Sequence, residues 1–271
     1  MNQVLFEGKF YEAGAPLFTA ANRGFRYGDG IFETIKVFRG QVLLKDFHFE
    51  RLDLGMKMLA LKNLPDTPAL EQDILSLCRE NDCEQLARVR VAVFRGENSQ
   101  ASIVAEAHRL DDEANRWNEE GFTLELYPFA RKSTDGLANL KSANYLPYVL
   151  AAHYAAEKGV DDCLVLNVEN AICDSSRANL FLIRGEEIFT PALHQGCVSG
   201  VMRRFVMDEL KRMGLPVKGS VITLDDMEEA DEVFLTNAIQ GMRWVSRFRE
   251  KNYSNTMTAG IYKKLLDPLY R

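Results

Sequence analysis

Residues 20–39, ANRGFRYGDGIFETIKVFRG, place Gly24, Gly28 and Gly30 within seven residues, directly before an alternating run from Ile31 to Phe38. Glycine loses more conformational freedom on folding than any other residue, so such crowding demands a reason. The run Ile31-Phe32-Glu33-Thr34-Ile35-Lys36-Val37-Phe38 has the period of a strand, and Arg39-Gly40 before QVLL reads as the two-residue turn of a hairpin. The glycines therefore serve one of two purposes. They make a tight surface turn, or they let backbone pass close to a ligand faced by Arg26, Tyr27 and Asp29.

The rest of the chain alternates between the two periods. VLFEGKFYEA reads as an earlier hairpin about Glu7-Gly8. Asp46 reads as the N-cap of a helix with Phe47, Leu52, Met56 and Leu59 on its apolar side. PALEQDILSLCREN is a second helix, with Glu71 and Asp73 near its positive end. ARVRVAVFRG and GFTLELYPFA are strands, separated by a polar stretch from Glu97 to Glu120. YPFARKSTDGLA, with Pro128, Ser133, Thr134 and Gly136, reads as a linker. Beyond it, Tyr145 to Lys158 is a helix closed by Gly159, DCLVLN a buried strand, and ANLFLIRGEEIFTP a hairpin turning near Gly185. VMRRFVMDELKRMG is a helix ending at Gly214. VKGSVITL and DEVFLTNA are strands flanking an acidic turn, DDMEEA, WVSRF is another strand, and TAGIYKKLLDPLY is a closing helix. The expected organisation is two α/β domains, 1–126 and 139–271, joined by a linker at 127–138.

Composition narrows the function. A net charge of −6 argues against general nucleic-acid binding, which needs a positive surface. No apolar run is long enough to span a membrane, and MNQVLFEGKFYEAG has neither the basic start nor the apolar core of a signal peptide. Five cysteines without paired spacing suggest reduced thiols in a cytoplasm. The four histidines are scattered, so no metal site is expected.

Several stretches hold residues suited to chemistry. Lys141, in ANLKSANYL, stands before an amphipathic helix among small and apolar neighbours, where a partly desolvated ammonium has a lowered pKa and acts as a nucleophilic amine. It reads equally as a solvated lysine at a helix start. In ICDSSRANLFLI, Asp174 is suited to accept a hydrogen bond from a protonated ring nitrogen, and equally to a turn. In GCVSGVMRRF, the backbone N–H groups of Val201 and Met202 open a helix whose dipole favours phosphate, although Ser199 as a plain cap explains the same letters. FLTNAIQG brings a strand into a small-residue turn, and FHFERLDL sets Arg51 near His48 on one helix face, a natural phosphate clamp.

Taken jointly, these stretches are identifying. NRGFRYGDGIFETI, HFERL, LKSANYL, DDCLVLN, CDSSRANLF, SGVMRRF and ADEVFLTNA, in this order, resemble the class IV, fold-type IV pyridoxal-phosphate enzymes. That family includes branched-chain aminotransferases, D-amino-acid aminotransferases and aminodeoxychorismate lyases. The resemblance implies a small N-terminal α/β domain, a larger C-terminal pseudo-barrel domain and a homodimer. It also implies pyridoxal 5′-phosphate as cofactor, with amino acids and 2-oxo acids as substrates. By the match, Lys141 forms the Schiff base, Arg51 clamps the phosphate, and Val201 and Met202 donate backbone N–H groups to it. Asp174 faces the pyridine nitrogen, while Asn179, Asn237 and Ala238 complete the cofactor site. Tyr27 and Phe32 wall the substrate pocket beside the glycine-rich approach. Two departures stand out. The family usually has glutamate where this chain has Asp174, which implies a shifted cofactor or a bridging water. The loop Gly96-Glu97-Asn98-Ser99-Gln100 is altered, leaving Arg95 for the substrate carboxylate. The letters favour transaminase slightly over lyase. A binding protein without catalysis is a third reading, opposed by the presence of both Lys141 and Arg51.

Overall fold

A computed structural model describes residues 2–63, 66–96 and 100–270, so positions 97–99 of the altered loop lie outside the described residues. Two compact units result. One is Met1–Ala114 with Leu140–Asn144, the other Asn115–Asn139 with Tyr145–Arg271.

The first unit contains β1 (Gln3–Phe6), β2 (Lys9–Glu12), α1 (Arg23–Tyr27), β3 (Gly30–Phe38), β4 (Gln41–Val42), α2 (Lys45–Met58), α3 (Thr67–Glu80), β5 (Leu86–Arg95) and β6 (Ala101–Arg109). Its sheet runs β2-β1-β6-β5-β3-β4, antiparallel throughout. Both hairpin turns form as expected, with φ 49° and 73° at Glu7-Gly8 and 50° and 71° at Arg39-Gly40, the double left-handed geometry that suits strand twist. The core joins Ile31, Ile35 and Val37 of β3 to Phe49, Leu52 and Met56 of α2 and Ile74 and Leu77 of α3.

Three local expectations change in this unit. The stretch from Glu97 to Glu120 contains β6, whose buried positions hold the small residues Ala101, Ala105 and Ala107 beside Ile103. Small inward residues weaken the alternation signal, which hid the strand. Helix α2 starts from Leu44 in the left-handed region without a side-chain cap, and Asp46 lies in its first turn, where its charge favours the dipole instead. The glycine cluster forms α1, closed by Gly28 at φ 61°. A Cβ on Gly30 would approach the Val93 carbonyl oxygen to 2.6 Å, so close backbone passage across β3 and β5 explains that glycine.

The second unit contains β7 (Phe122–Lys132), α4 (Leu146–Lys158), β8 (Asp162–Asn167), β9 (Ile172–Ser175), β10 (Asn179–Arg184), β11 (Glu187–Pro191), α5 (Val201–Arg212), β12 (Val217–Ser220), α6 (Leu224–Glu229), β13 (Glu232–Asn237), β14 (Gly241–Phe248), β15 (Lys251–Asn252) and α7 (Thr256–Leu269). Nine strands run β12-β11-β10-β13-β14-β7-β8-β9, with β15 on β14. Pairs β11–β12, β14–β7 and β7–β8 are parallel. The sheet curls, so that β9 at its end returns beside β10 and the Asn179 amide reaches Asp174 at 2.7 Å.

Residues 127–132, read as the start of a linker, belong to β7. Pro128 cannot donate to a ladder, and the strand accommodates it with a register shift between Leu126 and Arg131. The DDMEEA stretch is α6 rather than a turn, held by a reciprocal box between Thr223 and Asp226.

Candidate active site

Leu140–Asn144, expected at the mouth of the second domain, instead lies along β3 in the first unit. The Phe32 N–H donates to the Lys141 carbonyl and the Ala143 N–H to the Gly30 carbonyl, both at 2.9 Å. Ile31 and Ser142 form an antiparallel bridge between them. This pairing fixes the Lys141 backbone and sets its Nζ 4.4 Å from the centre of the Phe32 ring. Phe32 is buried, with the Arg90 guanidinium 3.8 Å from the same ring centre.

The opposite side of β3 carries Glu33, a carboxylate only 1% exposed on the face that otherwise presents Ile31, Ile35 and Val37. Its partners come from α2. Arg51 Nε donates to Oε1 at 2.7 Å, Arg51 Nη2 to Oε2 at 2.5 Å, and His48 Nδ1 to Oε2 at 2.7 Å. Burial pushes the Glu33 carboxyl up, but the Arg51 charge and the bonds from His48 and Arg51 outweigh it and hold it at about 2. Burial pushes His48 down, and the charges of Arg51 and Lys141 act in the same direction, against the Glu33 bond. The ring is therefore neutral, with Nδ1–H as its donor to a carboxylate that can only accept. Two cations, Arg51 and Lys141, act on this cluster against one carboxylate, an excess of positive charge suited to an anion.

The remaining residues expected in this unit lie as follows. Tyr27 ends α1, 60% exposed, with the Arg23 guanidinium 5.0 Å from its ring centre. Arg95 donates to Asp29 at 2.9 Å and to the Leu59 carbonyl at 2.6 Å. Its guanidinium ties the approach to β3 to the end of α2, rather than standing ready for a substrate carboxylate.

In the second unit Asp174 lies on β9, 2% exposed. Its Oδ2 accepts from the Tyr148 hydroxyl at 2.6 Å and the Val198 N–H at 2.9 Å, and its Oδ1 from Asn179. Burial pushes this carboxyl up, against Lys132 and the three hydrogen bonds. The neighbouring turn is organised by a different acid: buried Asp162 accepts from the Ser175 hydroxyl at 2.8 Å and the Ser176 hydroxyl at 2.5 Å. Asp174 is thus not the turn residue its setting allowed.

Asn179 also donates to the Val198 carbonyl at 2.9 Å, tying β10 to the approach to α5. That helix starts at Gly200 without a side-chain cap, and Val201 and Met202 are buried in its first turn. A Cβ on Gly200 would lie 1.8 Å from Asn179 Oδ1, so only glycine fits beside this amide. On the neighbouring strand Thr236 Oγ1 is buried without a hydrogen-bond partner. Asn237 Oδ1 accepts from Ile239 N at 3.0 Å and Gln240 N at 2.7 Å, so its side chain builds the turn in which half-buried Ala238 sits.

Sequence reasoning passed over Glu33, Tyr148 and Lys132. Glu33 was legible as the one charged letter on an otherwise apolar strand face. Tyr148 and Lys132 have no such signal, because only the curl of the sheet and the shift in β7 bring them to Asp174. Among the described residues, no helix is long and apolar enough to cross a membrane, and no group of three or more His, Cys, Asp or Glu is arranged for a metal ion.

Residues 30–248 match the family model of aminotransferase class IV. An aminodeoxychorismate lyase of Vibrio harveyi is 30% identical, the match covering 83% of this chain and 85% of that protein. One from Bacillus subtilis is 26% identical over 99% of this chain and 93% of its own length. In fold, the branched-chain aminotransferase of Thermoproteus uzoniensis, solved with norvaline, superposes with a TM-score of 0.88 at 21% identity, covering 99% of this chain and 95% of that one. Other solved branched-chain amino acid aminotransferases, with TM-scores of 0.87 and 0.88, carry N-(5′-phosphopyridoxyl)-L-glutamate or pyridoxamine 5′-phosphate. Members of the matched family depend on pyridoxal phosphate. The chain belongs to the class IV aminotransferase family.

Proposed function

We propose that this chain binds pyridoxal 5′-phosphate through Lys141 and moves an amino group between an amino acid and a 2-oxo acid. The observation that carries the reading is the Lys141 amine, laid over Phe32 by backbone pairing with β3. In the same unit, Glu33 and His48 hold the fork of Arg51.

The residues present fit the cofactor. Gly200 leaves the start of α5 without a side chain where a Cβ would collide with Asn179, and Thr236 keeps a buried hydroxyl unpaired. A carboxylate has about four lone-pair positions. Asp174 uses three of them on Tyr148, Val198 and Asn179, which leaves one for a ring N–H. When bound, the cofactor supplies a carbon that takes up amino groups and a ring that stores the electron pair left by a departing α-proton. Lys141 joins that carbon and, once released from it, takes and returns the proton at the substrate α-carbon. Arg51 and the N–H groups of Val201 and Met202 hold the phosphate. Asp174 keeps a proton on the ring nitrogen, with Asn179 as its support and Asn237 shaping the turn that presents Ala238. Phe32 and Tyr27 line the substrate side. Arg95 acts through Asp29, as a support of the α1–β3 approach.

A second reading, elimination of pyruvate from aminodeoxychorismate, is favoured by the likeness to the Vibrio and Bacillus lyases. It uses the same residues and differs in the fate of the β-substituent. We further infer a homodimer, and a cytoplasmic setting that fits the five free thiols.

Borohydride reduction of the loaded protein, followed by peptide mapping, tests the assignment. The adduct is expected on Lys141, and Lys141→Ala should lose both the visible band of the bound cofactor and turnover. An adduct on another lysine would overturn it. A panel pairing amino acids with 2-oxoglutarate, beside aminodeoxychorismate, separates the two reactions by keto-acid against pyruvate release.

A further inference from the structure

Lys132 stands apart from the other lysines of the second unit. It closes β7 just beyond the register shift at Pro128, opposite Asn167 of β8. Its side chain is 11% exposed, and its Nζ is buried without a hydrogen-bond partner. That Nζ lies 3.6 Å from Asp174 Oδ2 and 5.1 Å from the centre of the Tyr148 ring. An ammonium withdrawn from water without a hydrogen bond is costly unless a nearby negative charge compensates it. Asp174 is the carboxylate in place to do so.

The groups facing Asp174 can be named from every side. Lys132 comes from β7 and Tyr148 from α4, Asn179 from β10, and Val198 N–H from the approach to α5. The thiols of Cys173 and Cys197 also feel its charge, and burial raises both, so they stay neutral. Asn179 Nδ2 and Val198 N can only donate, and the two carboxyl oxygens receive one each. This pattern suits a carboxylate. Lys132 is the cation that balances it.

We propose that Lys132 is a positioning residue that acts through Asp174, fixing that side chain as a negatively charged carboxylate with its oxygens turned to Asn179 and Val198. The shift in β7 forced by Pro128 is the device that delivers the ammonium. Part of the consequence rests on the role proposed above for Asp174. A carboxylate already paired with Lys132 holds the proton of a facing ring nitrogen less tightly than an isolated one would. The charge pairing itself does not depend on that role.

The test uses the full chain without cofactor, so the pairing and the cofactor reading fail separately. Urea unfolding of Lys132→Met is compared with wild type from pH 5 to pH 8. Without its cation, the buried Asp174 carboxyl takes up a proton in the folded state at higher pH than in wild type. Folded protein then binds more protons than unfolded, so stability falls as pH rises. The unfolding constant of Lys132→Met should climb relative to wild type by up to about tenfold per pH unit. Lys132→Arg should restore the wild-type profile, and Lys132→Met in an Asp174→Asn background should run parallel to Asp174→Asn alone. Should Lys132→Met not fold, folding of the double variant supports the pairing and its failure overturns it. A Lys132→Met profile parallel to wild type, or one whose slope persists with Asp174→Asn, would also overturn it.

Discussion

Glu33→Gln removes the one negative charge from the Glu33–His48–Arg51 cluster while keeping the shape of the side chain. The folded carboxyl sits at about 2 against 4.5 for the ordinary group. At roughly 1.4 kcal/mol per unit, the ionised form contributes about 3 kcal/mol at neutral pH. Removing one member of a buried ion pair costs a comparable ~3–5 kcal/mol, because the remaining charge is left uncompensated. Here that charge is Arg51, 13% exposed. The pH dependence has a definite sign. The folded pKa lies below the unfolded one, so the contribution is complete above about pH 4.5 and is lost as pH falls toward 2. Linkage then removes about 1 kcal/mol by pH 4 and about 2 kcal/mol by pH 3. Urea unfolding of wild type and Glu33→Gln at pH 7, 5, 4 and 3 should show a gap of about 3 kcal/mol that closes on acidification. A gap below about 1 kcal/mol at pH 7, or one independent of pH, would show that Arg51 is not held by this charge.

Gly200→Ala keeps an allowed backbone, with φ −70° and ψ 136°, but brings a methyl to 1.8 Å from Asn179 Oδ1. It should cost about 1–3 kcal/mol in thermal melts and weaken phosphate binding, and an unchanged melting temperature would contradict the close approach. Asp174→Glu restores the usual acid of the family but overfills a site whose donors lie 2.6, 2.7 and 2.9 Å away. It should lose about 1–3 kcal/mol of stability, and a variant as stable as wild type would argue for slack around β9. All five cysteines are free and buried, and burial pushes Cys78, Cys163 and Cys197 up to about 12. The native protein should therefore resist thiol labelling at pH 8 until it is denatured; one thiol reacting at the rate of a free peptide would refute this.

The local elements were written in the letters. Two-residue turns at Glu7-Gly8 and Arg39-Gly40, the left-handed closure of α4 at Gly159, and the core faces of β3, β5 and α3 all follow from turn chemistry and period. Strand β6 escaped because alanine fills the buried positions that bulkier residues usually mark. Pro128 read as a break because the ladder shift that accommodates it is a pairing property, invisible to either strand alone. The candidate site divides along the same line. Order and spacing were enough to single out Lys141, Arg51, Asp174 and the Val201–Met202 turn, since each stands in a short motif with its own chemistry. Sequence could not place Lys141 on β3, spend Arg95 on Asp29, or bring Tyr148 and Lys132 to Asp174. These contacts join residues distant in the chain, and neither propensity nor period carries information about which distant partner a side chain meets. Only the closure of the sheets decides that.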